Sequence, residues 1–244
     1  MKRVVILQPS YLPWIGYFDQ INKADVFIFF DDVQFTRRDW RNRNRIKMQS
    51  GQADFITIPV QSKGNYLANI DQIHIDNQQE WAKKHLMMFL HNYKRAPFFS
   101  PVQERLQSVL TKRYELLADL TIDLIKNIAE YVGIANTTFL TSSKIPVSYQ
   151  DSTDHLIQLC KAVGATHYLT GDSAKNYLDE NRFTYNNLIL EYQNYVHPVY
   201  PQLWGQFLSH LSIVDLLFNV GHHALDVITP SNVFGIKEDT LPHQ

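Results

Sequence analysis

Residues 37–45 contain five arginines, with Trp40 among them and Asp39 as the single acid. The planar guanidinium group binds phosphate or carboxylate through two parallel hydrogen bonds, and an indole ring stacks on a base or a sugar. The segment therefore predicts a site for a small phosphate-bearing molecule, a nucleotide or nucleotide sugar. Its expected contacts are Arg37, Trp40, Asn42, Arg43 and Arg45. The alternative is a solvated loop whose arginines pair with Asp31 and Asp32.

Asp31 and Asp32 are adjacent carboxylates that follow the apolar run 26–30. Paired carboxylates can share a proton or hold a divalent cation through water. We expect Asp31, Asp32 or His197 to act as general base on an attacking amine, which requires a pKa near the working pH. The structural alternative is a turn cap and an arginine partner. No HxH or HExxH motif accompanies the pair, so the sequence requires no metal and leaves any cofactor unknown.

Residues 8–17 connect an apolar run to a predicted helix, whose first N–H groups could bind an anion. The spacing is similar to the HxGH turn of nucleotidylyltransferases, but Trp14 and Tyr17 stand where that motif has histidines. One alternative is a degenerate nucleotidylyltransferase, and another is a loop of aromatic side chains that only packs on the sheet. The ligand contacts predicted in this segment are Gln8, Tyr11, Trp14 and Tyr17.

A second turn follows the apolar run 167–170 and contains three residues suited to phosphate or hydroxyl groups, Thr170, Gly171 and Ser173. By itself this is a common turn, and a purely structural role is the alternative. His197 lies in the aromatic-rich segment 192–204, which lines a pocket or packs in the core.

The elements that position these residues predict an α/β fold with a mostly parallel open sheet. The runs 4–7 and 26–30, with a helix over 16–23 between them, form a βαβ unit with a HUP or nucleotidylyltransferase-like start. Further strands are predicted at 55–60, 70–75, 139–143, 167–170 and 188–192. We expect one domain over 1–244, with residues 79–132 as a helical insertion or small lobe, broken at Pro97 and Pro101. In such sheets ligands bind beyond the carboxyl ends of the strands, so the candidate segments should converge.

The composition describes a globular chain of 244 residues, 45% hydrophobic, with a formal net charge of -1. This charge gives no global field that attracts nucleic acid or an acidic membrane, so nucleic acid is disfavoured as a partner. The single cysteine, Cys160, excludes an intrachain disulfide and CxxC motifs. No apolar run approaches the roughly 20 residues of a membrane span. We expect a cytoplasmic protein, and a homodimer is compatible with the sequence.

Several stretches together resemble the WbqC-like family, met in bacterial polysaccharide and O-antigen gene clusters. They span nearly the whole chain and are residues 8–18, 31–35, Trp40 with 42–44, 168–171 and 212–219. Thr170 stands where serine is expected and keeps the hydroxyl. The resemblance implies a context, the decoration of nucleotide-linked or surface sugars, rather than one reaction.

The motifs and this context together predict a transferase that adds an amino-acid or acyl group to an amino sugar, carried on a nucleotide, during surface-polysaccharide biosynthesis. In this hypothesis Arg43 and Arg45 hold phosphate, and Trp40 and Trp14 supply stacking. Polar groups of the ligand are oriented by Gln8, Tyr11 and Asn42. One alternative is a non-catalytic nucleotide- or glycan-binding partner of a pathway enzyme. Adenylate chemistry, with release of pyrophosphate from ATP, is the other.

Overall fold

The computed structural model describes residues 1–61, 67–176 and 178–229. Its strands, in chain order, are β1 (Arg3–Leu7), β2 (Val26–Phe29), β3 (Arg43–Lys47), β4 (Ala53–Thr57), β5 (Thr138–Thr141), β6 (His167–Thr170) and β7 (Ile189–Tyr192). Its α-helices are α1 (Ile15–Lys23), α2 (Trp81–Tyr93), α3 (Phe99–Leu110), α4 (Leu117–Tyr131), α5 (Ser152–Ala162), α6 (Glu180–Tyr185), α7 (Ile213–Val220) and α8 (Ala224–Ile228). Within these described ranges, none of the helices combines the length and the apolarity that crossing a bilayer demands.

Five of the strands form one parallel sheet with the order β5-β2-β1-β6-β7. The chain starts at the centre, moves outward through β2 to β5, and returns to the other side of β1 for β6 and β7. The strand order therefore reverses between β1 and β6, where open α/β sheets bind their ligands. This topology confirms the predicted α/β class and the parallel βαβ start.

Helices cover both faces of the sheet because successive side chains of a strand point to opposite faces. Val5 packs into one buried apolar cluster, which also contains side chains of α1, α2, α3, α4 and α7. Val4 and Ile6 pack into a second cluster with side chains of α5 and α6. Cys160 lies in this second cluster, and burial raises the pKa of its thiol to about 12.

The strands β3 and β4 form a separate antiparallel hairpin, with Arg45 opposite Phe55. The predicted strand at 55–60 thus starts two residues earlier and pairs locally instead of joining the parallel sheet. Gly51, at φ 79°, supplies the left-handed backbone that the connecting turn needs. The hairpin is tied to the core because Tyr93 accepts a hydrogen bond from the Lys47 backbone (2.8 Å) and donates one to buried Asp215 (2.8 Å).

The middle of the chain is helical, as predicted, and Pro97 lies in the connection between α2 and α3. Pro101, however, does not break the chain into two helices. It is the third residue of α3, where an N–H group has no partner within the helix and its loss costs little. Residues 70–75 were expected to form a strand but contain the 3₁₀ turn Ile70–Gln72, although Ile70, Ile73 and Ile75 are buried.

Candidate functional site

Polar residues follow the carboxyl ends of four of the parallel strands, and a glycine follows the fifth. They are Gln8 and Ser10 after β1, Asp31 and Asp32 after β2, Ser142 and Ser143 after β5, Gly171 after β6, and Gln193 after β7. The carboxyl ends of parallel strands meet at one edge of the sheet, and we call this set the carboxyl edge.

Arg41 reaches this edge from the turn that precedes β3. Its Nη1 donates to Ser10 Oγ at 2.6 Å, its Nη2 donates to Asp39 Oδ2 at 3.4 Å, and its buried Nε has no partner among the described residues. The side chain is 19% exposed. Burial lowers the pKa of Arg41 against the opposing effect of Asp39. A guanidinium has five N–H donors, so Arg41 is held in place with donors left for an anion.

The segment after β1 and the arginine segment lie against each other. The backbone N–H of Tyr11 donates to the Trp40 carbonyl at 3.1 Å, and the Asn44 amide donates to the carbonyls of Tyr11 (3.2 Å) and Leu12 (2.7 Å). Leu12 has φ 44°, a left-handed conformation that turns the chain back toward the hairpin. The structure therefore brings together the two segments in which the sequence analysis placed most ligand contacts.

Within the first segment, the predicted ligand contacts have different surroundings. Tyr11 is fully buried, and its hydroxyl bonds to His85 Nδ1 at 2.8 Å, so it faces the core. Tyr17 is 5% exposed and donates to the Gln8 carbonyl at 3.1 Å, which fixes the backbone where β1 ends. Gln8 and Arg41 are thus the groups of this region with access to a ligand at the sheet edge.

Trp14 lies at the start of α1 and covers its first turn. A Cβ atom on Gly16 would be 2.3 Å from Trp14 Cη2, so only glycine leaves room for the indole. The ring stacks with His210 at 5.3 Å and with His197 at 6.2 Å between centroids. The indole and these two histidine rings thus form one aromatic cluster at the start of α1.

Asp31 is 3% exposed, and three donors surround its carboxylate. Oδ1 accepts from Ser142 Oγ (3.0 Å) and from the Ser143 backbone N–H (3.0 Å), while Oδ2 accepts from Ser143 Oγ (2.9 Å). These bonds fasten the end of β2 to the end of β5. Asp31 therefore has a structural role at the junction of these two strands.

Asp32 is the more exposed carboxylate, at 22% of its side-chain surface. It shares the single Ser142 hydroxyl proton with Asp31 Oδ1, and its Oδ2 is 3.3 Å from His155 Nε2. Burial raises the pKa of Asp32, but the neighbouring His155 imidazole and the hydrogen bond from Ser142 outweigh that effect and lower the pKa overall. Asp32 is thus an anion at neutral pH that faces the carboxyl edge.

His155 is a site residue that the sequence analysis did not identify. It is 2% exposed, its ring stacks under Tyr149 at 3.7 Å between centroids, and Phe30 meets it edge-on at 5.0 Å. Asp151 caps α5 by accepting from the Asp154 N–H, which places His155 in the first turn of that helix. Two features of the sequence could have indicated this role of His155: the cap at Asp151, four residues before it, and the two aspartates that follow β2.

The structure places His197 in another environment. Its Nδ1 donates to the Pro198 carbonyl at 2.8 Å, and its Nε2 accepts from the His210 backbone N–H at 3.1 Å. Burial lowers the pKa of His197 further. Its ring contacts among the described residues are Trp14, Tyr200, Phe207 and His210, so it is not grouped with the two aspartates.

The remaining arginine-segment residues divide between two sides of the hairpin. Asn42 is 8% exposed and donates its amide to the Ile58 carbonyl at 2.8 Å. Arg43 and Arg45 lie on the outer side with Trp40, while Arg37 is exposed in the preceding turn. The hairpin therefore turns Asn42 inward and presents the arginines outward.

The turn after β6 completes the edge at the switch point. Thr170 is buried, and its carbonyl accepts the Gln193 N–H at 2.9 Å; the Gly171 carbonyl accepts the Ala174 N–H and begins the 3₁₀ turn that contains Ser173. Gln20 is 4% exposed and donates to Gln193 at 2.8 Å, while its Oε1 has no partner among the described residues. An acceptor without a donor thus lies beside the start of this turn.

Two open clefts flank α2, away from the carboxyl edge. Their volumes are about 620 and 610 Å³, and both are bordered by Trp81, Lys83 and Met87. They contain none of the carboxyl-edge residues. In the part of the chain that the structure describes, no group of three or more His, Cys, Asp or Glu side chains is arranged to hold a metal ion.

Comparison with known proteins identifies the family. A model of the WbqC-like protein family matches residues 8–227. An uncharacterized protein of Mycobacterium tuberculosis, Rv1507c, is 40% identical over 230 residues, which cover 93% of this chain and 98% of the relative. No solved structure matches the chain. These matches confirm the resemblance seen in the sequence motifs, and the chain belongs to the WbqC-like protein family.

Proposed function

We propose that the protein is a transferase that adds an amino-acid or acyl group to an amino sugar carried on a nucleotide. The observation that carries this proposal is Arg41, a mostly buried guanidinium held at the end of β1 by Ser10 with unused N–H donors. The strand order reverses beside it, between β1 and β6. A phosphate group at this position would meet a charge that is fixed in direction and weakly hydrated.

The ligand would lie along the carboxyl edge between the segments after β1 and β6. Gln8 and Arg41 border one side, and the turn of Thr170, Gly171 and Ser173 borders the other. In this arrangement the phosphate is bound by Arg41 rather than by Arg43 or Arg45.

Asp32 is the carboxylate that orients the amine in this mechanism. It is more exposed than Asp31, and Ser142 and the neighbouring His155 hold it as an anion with a lowered pKa, so it accepts a hydrogen bond from the amine. The amine nitrogen of the sugar attacks the carbonyl carbon of an activated acyl donor, a C–N bond forms, and the donor's leaving group departs with its electron pair. The proton that the nitrogen loses passes to solvent. His155 stabilises the Asp32 carboxylate from the protein interior. Because His155 is buried, it does not contact the substrate.

The binding step can be tested by calorimetry with UDP-N-acetylglucosamine, dTDP-glucose and GDP-mannose. We expect one of these to bind, and Arg41→Gln to weaken that binding at least tenfold. The matched control is Arg113→Gln. This variant removes an exposed arginine that pairs with Glu115, on a loop distant from the proposed site. Equal affinity of the Arg41→Gln variant and the native protein would contradict the proposed anion site.

A second function, a non-catalytic nucleotide- or glycan-binding partner, is favoured by one observation. All three predicted bases are engaged within the protein: Asp31 and His197 accept hydrogen bonds, and Asp32 accepts one from Ser142 and lies 3.3 Å from His155 Nε2. Asp32→Asn separates the two functions. Unchanged nucleotide-sugar affinity with loss of glycan modification in cells supports catalysis, whereas unchanged modification supports the binding role. Release of pyrophosphate from ATP would instead indicate adenylate chemistry.

A further inference from the structure

The outer side of the β3–β4 hairpin is a layer of cations and aromatic rings. The Arg43 guanidinium lies 4.3 Å above the Phe55 ring, and the Arg45 guanidinium is 5.9 Å from the Trp40 ring. The two rings are 6.2 Å apart and are tilted by 31°. Trp40 is 43% exposed and Phe55 is 41% exposed, which is unusual for such large apolar side chains.

The arginines of this layer lack acidic partners. Arg43 donates to the Arg38 carbonyl and Arg45 to the His210 carbonyl at 3.4 Å, and neither forms an ion pair with a described carboxylate. By contrast, Arg3, Arg41, Arg105, Arg113 and Arg182 each pair with a carboxylate. The positive charge of Arg43 and Arg45 is therefore not neutralised by a described carboxylate and attracts an external anion.

The row of Arg43 and Arg45 begins beside the carboxyl edge. These two arginines are alternate residues of β3, so they share a side of the strand at a spacing of about 6.6 Å. Arg41, which bonds to Ser10, lies in the turn that precedes this strand. A molecule that follows the row leads its end toward the proposed reaction site.

We infer that Arg43 and Arg45, together with Trp40 and Phe55, bind an anionic oligosaccharide. This binding does not depend on the proposed function, in which the acceptor is the nucleotide-linked amino sugar. Guanidinium groups match the carboxylates of acidic sugars through paired hydrogen bonds, and the exposed rings pack against the apolar faces of the sugar rings.

A saccharide fits the row better than a single-stranded nucleic acid. Nucleic-acid grooves combine stacking platforms with a longer basic track than the two arginines and two rings of this surface. The chain as a whole carries a net charge of -1, so counterion release would contribute little beyond these arginines.

The test measures binding of three probes of six units each: hexagalacturonate, the neutral maltohexaose and the oligonucleotide dT6. We expect hexagalacturonate to bind and maltohexaose to bind at least tenfold more weakly. The double variant Arg43→Gln/Arg45→Gln should lose at least tenfold in affinity for hexagalacturonate. Arg43→Lys/Arg45→Lys, which keeps the charge but loses the planar fork, should recover only part of that loss.

The charge-matched control is Lys83→Gln/Arg113→Gln, which removes two exposed cations that have acidic partners elsewhere. It should bind hexagalacturonate like the native protein. Circular dichroism and the thermal midpoint establish that each variant is folded. The inference is overturned if native protein does not bind hexagalacturonate, if the control loses as much affinity as the double variant, or if dT6 binds more tightly through the same arginines.

Failure of the proposed function has a different signature. The Arg43→Gln/Arg45→Gln variant should keep the native affinity for the nucleotide sugar, because Arg41 holds that ligand. If no nucleotide sugar binds but hexagalacturonate binding still depends on Arg43 and Arg45, the saccharide surface stands without the proposed nucleotide site. If the nucleotide sugar binds and hexagalacturonate does not, the proposed nucleotide site stands without the saccharide surface.

Discussion

His85 makes the stability of the protein depend on pH. The imidazole is 2% exposed; its Nδ1 bonds to the Tyr11 hydroxyl at 2.8 Å, and the ring bonds to the Thr57 backbone. Burial is the largest effect and lowers its pKa from 6.5 to about 4, with Lys84 acting in the same direction. The folded state therefore keeps His85 neutral at pH values where the unfolded chain protonates it.

The direction and the size of the change in unfolding free energy with pH follow from this difference in protonation. Between pH 6.5 and 4 the unfolded state binds more protons than the folded state, so acidification favours unfolding. One pKa unit corresponds to about 1.36 kcal/mol, so full protonation disfavours the folded state by up to about 3 kcal/mol. From pH 7.5 to 5.0 the expected loss of unfolding free energy from His85 is about 2 kcal/mol.

Urea unfolding of the native protein and of His85→Gln at pH 7.5 and 5.0 measures this contribution. Glutamine can accept from Tyr11 and donate to Thr57 without titrating, so His85→Gln should lose about 2 kcal/mol less than the native protein over this interval. His91→Gln, an exposed histidine on the same helix, is the control and should retain the native pH dependence. Equal losses for native protein and His85→Gln would refute the reasoning.

Three further predictions concern packing and reactivity. Gly16→Ala should destabilise the fold by about 1–3 kcal/mol in urea and shift the fluorescence of Trp14, because the added methyl group collides with the indole. Tyr93→Phe should cost about 1–3 kcal/mol of unfolding free energy, because it removes one of the donors to buried Asp215. Cys160 should react with a thiol reagent only after denaturant is added, because its pKa is raised to about 12 in an apolar cluster.

The elements predicted best are those whose signal is local. The runs around Val5 and Phe27 are apolar on both faces, which is typical of central parallel strands, and the structure places them at the middle of the sheet. The short helix between them forces a parallel crossover. Asp151 likewise identifies the start of α5 from sequence alone, because a cap depends only on the residues beside it.

The sequence analysis did not predict the hairpin, because the apolar pattern of these residues does not indicate a strand. Residues 43–47 contain two arginines, an asparagine and a lysine, and such residues carry little strand signal. What makes them a strand is the register with β4 and the bond from Lys47 to Tyr93, forty-six positions away. Pairing between distant residues is decided by tertiary packing, and a window of neighbouring residues does not contain it.

This error also explains which candidate site residues changed role. In a loop, Asn42 and Arg43 are equally able to face a ligand. At the start of a strand, successive side chains point to opposite sides, and this alternation separates the two residues. Asn42 turns inward to the Ile58 carbonyl, Asn44 turns inward to Tyr11 and Leu12, and the intervening arginines face outward. The asparagines thereby fasten the hairpin to the segment after β1, and that attachment holds Arg41 against Ser10. The same alternation that removes Asn42 from the predicted ligand contacts is thus what positions Arg41 for an anion.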